Sequence, residues 1–150
     1  KMLVNVVCRD GNLLLNIGPD RNGKVSEEIH QRIRQIGDWL SRCGESIYNT
    51  RGGPFEPEDE VYGTTFRENR IYLHILDTAA FAGAGRADPT LYLLGTEEDT
   101  PFEQGEEGLR ITLPQGRKTT PQDPDCIVVL ELDGKVPQKE ENEVYFTGKE

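Results

Sequence analysis

One apolar run, GNLLLNIGP at residues 11–19, most constrains what this chain can fold into. Leu13, Leu14 and Leu15 are consecutive, and Ile17 follows two positions later. Because successive side chains of a strand point to opposite faces, three adjacent leucines place apolar groups on both faces. A short apolar run bounded by glycines and ended by proline is typical of a strand in a parallel sheet. The sequence therefore predicts that this run is a buried interior strand.

The residues on both sides of this run have helical spacing. Leu3, Val6 and Val7 fit the end of a helix, and Ser26 with two following glutamates is a favourable start for another. Gly44 stands where a left-handed helix cap is expected. The second helix carries an apolar stripe at a 4-3-4-3 spacing, made of Ile29, Ile33, Ile36, Leu40 and Cys43.

A helix, a buried strand and a second helix form a piece of an α/β architecture. One such unit cannot close a parallel sheet, because each parallel strand needs neighbouring strands reached by crossover connections. We therefore expect residues 1–50 to be the tail of a larger α/β unit.

From Val61 onward the apolar pattern changes to a period of two. The segment before it contains Gly52, Gly53 and Pro54, which indicates a crossing between two structural units near residue 50. Loops rich in Gly, Pro, Asp and Thr separate the apolar segments, and a tight turn is predicted at residues 68–69. We expect residues 51–150 to form an antiparallel β-sandwich. The predicted strands cover residues 61–66, 70–76, 90–94, 108–113, 126–132 and 144–146.

Composition excludes several classes of partner. The 150 residues carry 17 Lys and Arg against 27 Asp and Glu, so the net charge is −10. That sign argues against binding to nucleic acid and against adsorption to an anionic membrane. The sequence contains no membrane-spanning run and no secretion signal, which would have to lie upstream in a longer protein.

The chemistry-bearing residues give few candidates. No spacing of His, Cys or acidic residues indicates a metal site, and no motif indicates a cofactor. The three cysteines are predicted to be buried thiols, and His74 to be packed and hydrogen-bonded rather than catalytic. Asn16 is the one functional candidate, because the end of a buried parallel strand is where barrel enzymes place their chemistry. It either pairs with neighbouring strand loops or faces a ligand.

Several motifs together resemble family 29 glycoside hydrolases, the α-L-fucosidases. The resemblance begins with VNVV at residues 4–7 and DGNLLLNIGP at 10–19, and continues with IGDWL at 36–40 and GESIY at 44–48. The phrase TRGGPF at 50–55 is similar to the branch preferring α-1,3/1,4-linked fucose. YLHILD at 72–77 and IVVLEL at 127–132 resemble the family more loosely.

The resemblance implies an α/β remnant, the last strand and helix of a (β/α) barrel, in residues 1–50, followed by the antiparallel β-sandwich in 51–150. It implies a retaining exo-α-L-fucosidase acting on fucosylated oligosaccharides or glycoconjugates. In such enzymes an Asp nucleophile and a Glu or Asp acid/base lie on earlier barrel strands. Both would therefore lie upstream of Lys1, and no catalytic residue is assigned in this segment. The family also favours a periplasmic or secreted location, although the sequence leaves the compartment open.

A second reading is a non-enzymatic carbohydrate-binding or scaffolding module, with the sandwich as its working part. Sugar-binding sandwiches usually expose aromatic side chains that stack on pyranose rings. Tyr62, Tyr72, Tyr92 and Tyr145 lie within alternating segments where core packing explains them. Trp39 is likewise interpreted as a packing residue rather than a sugar platform.

Overall fold

A computed structural model describes residues 1–81, 89–93, 102–105, 108–111, 119–120 and 124–136, with the backbone alone described in the strands between 89 and 111. The helices are α1 (Met2–Val7), α2 (Glu27–Cys43) and a short 3-10 helix (Gly44–Ser46). The strands are β1 (Arg51–Gly52), β2 (Tyr62–Arg67), β3 (Arg70–Ile75), β4 (Pro89–Leu93), β5 (Phe102–Gly105), β6 (Gly108–Ile111) and β7 (Cys126–Leu132).

Helix α2 begins where the sequence predicts. The Ser26 side chain accepts a hydrogen bond from the Ile29 amide at 3.4 Å, which satisfies one of the unpaired N–H groups of the first turn. The predicted left-handed cap at Gly44 is wrong, because its φ is −61° and the chain continues into the 3-10 helix. The Tyr48 ring lies close to this position, 2.8 Å from where a Cβ on Gly44 would be.

Five strands form one antiparallel sheet in the order β1-β2-β3-β7-β4. The β2–β3 hairpin closes at the predicted turn, where Arg67 pairs with Arg70 and Glu68 has a φ of +58°. A separate two-stranded sheet pairs β5 with β6. The antiparallel sheet is consistent with part of the predicted β-sandwich. The predicted strand at residues 144–146 lies outside the described residues.

The central strands β3 and β7 are buried on both faces. On one face Ile71, Leu73 and Ile75 pack with alternate residues of β7 and with Phe55 and Val136. On the opposite face, strand residues contact the helical part of the chain, so the helices pack on this face of the sheet. That second face carries two smaller clusters, Tyr72, Ile127, Val129 and Cys43 in one, and Leu76, Val4 and Cys8 in the other. Trp39 packs against both, as the sequence predicts for a packing tryptophan.

The predicted buried strand at residues 11–19 is not formed in this chain. These residues have no regular secondary structure, and the side chains of Leu14, Leu15 and Ile17 are 91%, 54% and 39% exposed. A strand requires neighbours that accept and donate its backbone hydrogen bonds. Within the described part of the chain every strand of the main sheet pairs with strands from residue 51 onward. The apolar run therefore has no sheet to join among the described residues, and the predicted barrel remnant is not shown.

A close backbone contact joins α1 to the sheet. Cys8, which follows α1, lies against Gly52 of β1 and Gly63 of β2. A Cβ on Gly52 would lie 2.5 Å from the Cys8 carbonyl oxygen, and a Cβ on Gly63 would lie 2.5 Å from Cys8 Sγ. Asp10 then accepts hydrogen bonds from the Gly52 amide at 2.7 Å and from Arg51 Nε at 2.8 Å. These contacts fix the end of α1 on the sheet.

No helix in the described ranges combines the length and apolar character needed to cross a bilayer.

The glycine contact generates a stability prediction. Gly52→Ala should lower the free energy of unfolding by about 1–3 kcal/mol, because the new methyl group meets backbone rather than a flexible side chain. Gly37→Ala is the matched control, since Gly37 lies inside α2 with no atom within 4 Å of its added Cβ. That change should stabilise the chain by up to about 1 kcal/mol. Urea unfolding followed by circular dichroism measures both, and equal effects of the two substitutions would contradict the contact.

Candidate functional site

Asn16 lies on the exposed surface, in the irregular segment between α1 and α2. The segment ends in an ordered turn, where Asp20 Oδ1 accepts hydrogen bonds from the amides of Lys24 at 2.9 Å and Asn22 at 2.8 Å. These backbone donors, Lys24 foremost, lower the pKa of the Asp20 carboxyl. Gly23 within the turn has a φ of +76°, the left-handed conformation for which glycine is suited.

The apolar stripe of α2 is only partly covered. Cys43 at its C-terminal end is buried in the cluster with Tyr72, whereas Ile29, Ile33 and Ile36 are half-buried. A helix gains most of its stability in a protein by burying such a stripe. Two apolar surfaces, the irregular segment at residues 12–17 and the N-terminal part of the α2 stripe, are therefore left with little cover by the described residues.

A buried polar group lies beneath the end of α2. His74 is fully buried, with Nδ1 at 2.6 Å from Asp125 Oδ2 and Nε2 at 3.4 Å from Thr65 Oγ1. Thr65 Oγ1 donates to the Ser46 carbonyl oxygen at 2.6 Å. The prediction that His74 is packed and hydrogen-bonded is confirmed. The other histidine, His30, is exposed on α2.

The chain is similar to known alpha-L-fucosidases in sequence and in structure. A family model described as Alpha-L-fucosidase matches residues 1–45. Human plasma alpha-L-fucosidase is 50% identical over 50 residues, which cover 33% of this chain and 11% of that protein. Rat tissue alpha-L-fucosidase is 30% identical over 124 residues, covering 75% of this chain and 26% of that protein. The crystal structure of Thermotoga maritima alpha-fucosidase in complex with fucose superposes with a TM-score of 0.61 at 25% identity, over 86% of this chain and 32% of that one.

Residues 1–45 match the alpha-L-fucosidase family, and these relatives and this structural neighbour are alpha-L-fucosidases. It spans only a part of the fucosidases it matches, 11% of the human plasma enzyme and 26% of the rat tissue enzyme. The family model covers α1, the exposed segment with Asn16 and α2. The fucosidase match therefore falls on the part of the chain that carries the candidate site.

The sequence does not predict two polar contacts of the buried His74. Asp125 and Thr65 are the partners of His74, and nothing in their local sequence marks them as such. Their association follows from antiparallel pairing, which sets His74 opposite Ile127 of β7 and Gly63 of β2. In the described part of the chain, no group of three or more His, Cys, Asp or Glu could hold a metal ion.

The three cysteines are buried, as predicted. Burial raises the pKa of the Cys8 thiol from 9.0 to about 12, with a further contribution from the nearby Asp125 carboxylate. A thiol with such a pKa is protonated at neutral pH, and the thiolate is the reactive form. Cys8 is therefore a packing residue and no nucleophile.

The raised Cys8 pKa predicts resistance to alkylation. At pH 8, iodoacetamide should modify Cys8 of the folded chain at least about a thousandfold more slowly than Cys8 of the urea-unfolded chain, because three pKa units lower the thiolate fraction by that factor. Mass spectrometry of the peptide containing Cys8 measures the rate. Labelling of folded Cys8 at the unfolded rate would contradict this assignment.

Since the folded state holds the proton more tightly, the thiol's contribution to stability should be present below pH 9 and fall as pH rises toward 12.

Proposed function

We propose that this chain is part of a retaining exo-α-L-fucosidase that hydrolyses terminal α-linked fucose from oligosaccharides or glycoconjugates. The match of residues 1–45 to the alpha-L-fucosidase family supports the activity, and fucose is the ligand named in the Thermotoga maritima complex. The phrase TRGGPF at residues 50–55 supports the branch that prefers α-1,3/1,4 linkages.

In this proposal residues 1–50 are the C-terminal end of the catalytic (β/α) barrel and residues 51–150 are the β-sandwich. The observation that carries it is the exposure of the apolar run, with Leu14 at 91%. Exposure of Leu14, Leu15 and Ile17 to water is unfavourable, and covering both faces of the run requires flanking strands and helices. The preceding barrel strands of the parent enzyme would supply that cover, and α2 would pack its half-buried stripe on the barrel wall.

The catalytic carboxylates are proposed to come from those preceding strands. Retention requires two carboxyl groups about 5 Å apart across the scissile bond, one as nucleophile and one as acid/base. Two acids among the described residues have partners within the chain. Asp125 is buried against His74, and Asp10 holds Arg51 and the Gly52 amide. This arrangement supports a scaffold role for both residues.

Asn16 is proposed to line the fucose pocket. Once residues 11–19 adopt a strand between barrel neighbours, Asn16 would lie near the strand's C-terminal end, the end at which barrel enzymes bind substrate. An amide side chain both donates and accepts hydrogen bonds, which suits a sugar hydroxyl.

The alternative, a carbohydrate-binding module, has less support. Tyr72 is fully buried, and Tyr62 packs edge-on against Phe81 with ring centroids 5.7 Å apart. Neither ring is presented for stacking on a sugar. Calorimetric titration of this chain with fucose and fucosylated oligosaccharides separates the readings, and saturable heat would favour the module.

The 150-residue chain by itself should not hydrolyse an aryl α-L-fucoside, because both reacting carboxyl groups are supplied from outside it. Release of the aryl group is measured for this chain and, as positive control, for an enzyme that includes the barrel. Turnover by the chain alone that disappears when one of its own acids is changed to the amide would overturn the proposal.

Asn16→Ala in an enzyme that includes the barrel should lower kcat/KM about tenfold, the effect of one lost substrate hydrogen bond. Asn12→Ala is the matched control, because Asn12 is another exposed asparagine of the same segment. Equal kinetics for the two variants would exclude Asn16 from the pocket while leaving the fucosidase activity intact.

A further inference from the structure

Four residues form one buried hydrogen-bonded network across four parts of the fold. Asp125, just before β7, contacts His74 of β3; His74 contacts Thr65 of β2; and Thr65 contacts the carbonyl of Ser46 in the 3-10 helix. Ser46, Thr65 and His74 are each fully buried, and Asp125 is almost so. These hydrogen bonds therefore connect the segment after α2 to the middle of the sheet.

The hydrogen-bond roles along this chain fix where the protons are. The Ser46 carbonyl can only accept, so the single Thr65 hydroxyl proton is committed to that 2.6 Å bond. The Thr65 oxygen then presents a lone pair to His74 Nε2, and this contact is favourable only if Nε2 carries a proton. The 2.6 Å contact between Nδ1 and Asp125 Oδ2 requires a second proton between those two atoms.

The same count gives the charge of the buried group. With one proton on Nε2 and one shared with Oδ2, His74 and Asp125 together are neutral, whether the shared proton lies on nitrogen or on oxygen. The competing tautomer, with Nε2 unprotonated and Asp125 ionised, would leave a net negative charge out of water, which is costly. The titratable group facing Asp125 from α1 is the Cys8 thiol, which is neutral because its pKa is raised to about 12. Cys8 therefore adds no charge that would alter this count.

We propose that Asp125, His74 and Thr65 form a proton-holding clasp that seats the 3-10 helix Gly44–Ser46 on the sheet. His74 is the positioning residue of this clasp. Its two ring N–H groups donate to Asp125 and to the Thr65 oxygen, so that the Thr65 hydroxyl proton is directed at the Ser46 carbonyl. The clasp is independent of the fucosidase proposal, because it rests on contacts within this chain alone.

Nitrogen-15 NMR of the histidine rings tests the proton count. The chain contains two histidines, so His30→Gln leaves the ring signals of His74 alone, and His30 is exposed on α2 where this change is mild. At neutral pH, Nε2 of His74 should show the shift and one-bond coupling of a protonated nitrogen. In the unsubstituted chain the exposed His30 ring provides the solvent-averaged reference. An unprotonated Nε2 in His74 would overturn the proposal.

Hydrogen exchange tests the seating of the 3-10 helix. Thr65→Val keeps the side-chain shape but removes the hydroxyl, so the Ile47 and Tyr48 amides, which bond to the Gly44 carbonyl, should exchange about tenfold faster. Thr65→Ser restores the hydroxyl and should return exchange toward the rate of the unsubstituted chain. Amides of β7 that pair with β3 serve as internal control. If Val and Ser at position 65 give the same exchange at Ile47 and Tyr48, the hydroxyl does not hold this segment and the clasp is wrong.

Discussion

The contact of Cys8 with two glycines is the constraint on which the arrangement of the described chain depends. Because Gly52 and Gly63 lack side chains, the backbone after α1 approaches β1 and β2 closely enough for Cys8 to be buried. Asp10 then meets the Gly52 amide, and Val4 of α1 joins Leu76 in the same small cluster. Any side chain at Gly52 would push the helix off the sheet and open that cluster. Because both positions are glycine, the end of α1 and the buried Cys8 thiol can pack directly against β1 and β2.

The crossing near residue 50 is therefore packed and hydrogen-bonded. Thr50 Oγ1 donates to the Ile47 carbonyl at 2.8 Å, and the Gly53 amide donates to the Thr64 carbonyl at 2.8 Å. The glycines and proline here predict a crossing between two structural units. In the structure the glycines allow close approach of the backbone, since a Cβ at Gly53 would run into Thr64. The same residue types mark a flexible connection or a tight joint, and only the neighbours decide which.

Local signals were sufficient to predict α2 from Ser26, the β2–β3 hairpin with its turn at residues 68–69, and β7. Each depends on capping, turn chemistry or period-two alternation within a few residues. The environment of the apolar run at 11–19 could not be predicted for a different reason: its composition indicates burial but not which strands would bury it. The partners of His74 could not be predicted either, because Asp125 lies 51 residues away and meets the ring only through strand register.

The distribution of buried and exposed residues bears on where a functional site can lie. β3 and β7 use both of their faces for internal packing, and the titratable groups between them are held by one another. The segment around Asn16, by contrast, exposes apolar and amide groups together. Such a segment gains free energy only when other chain elements cover its leucines.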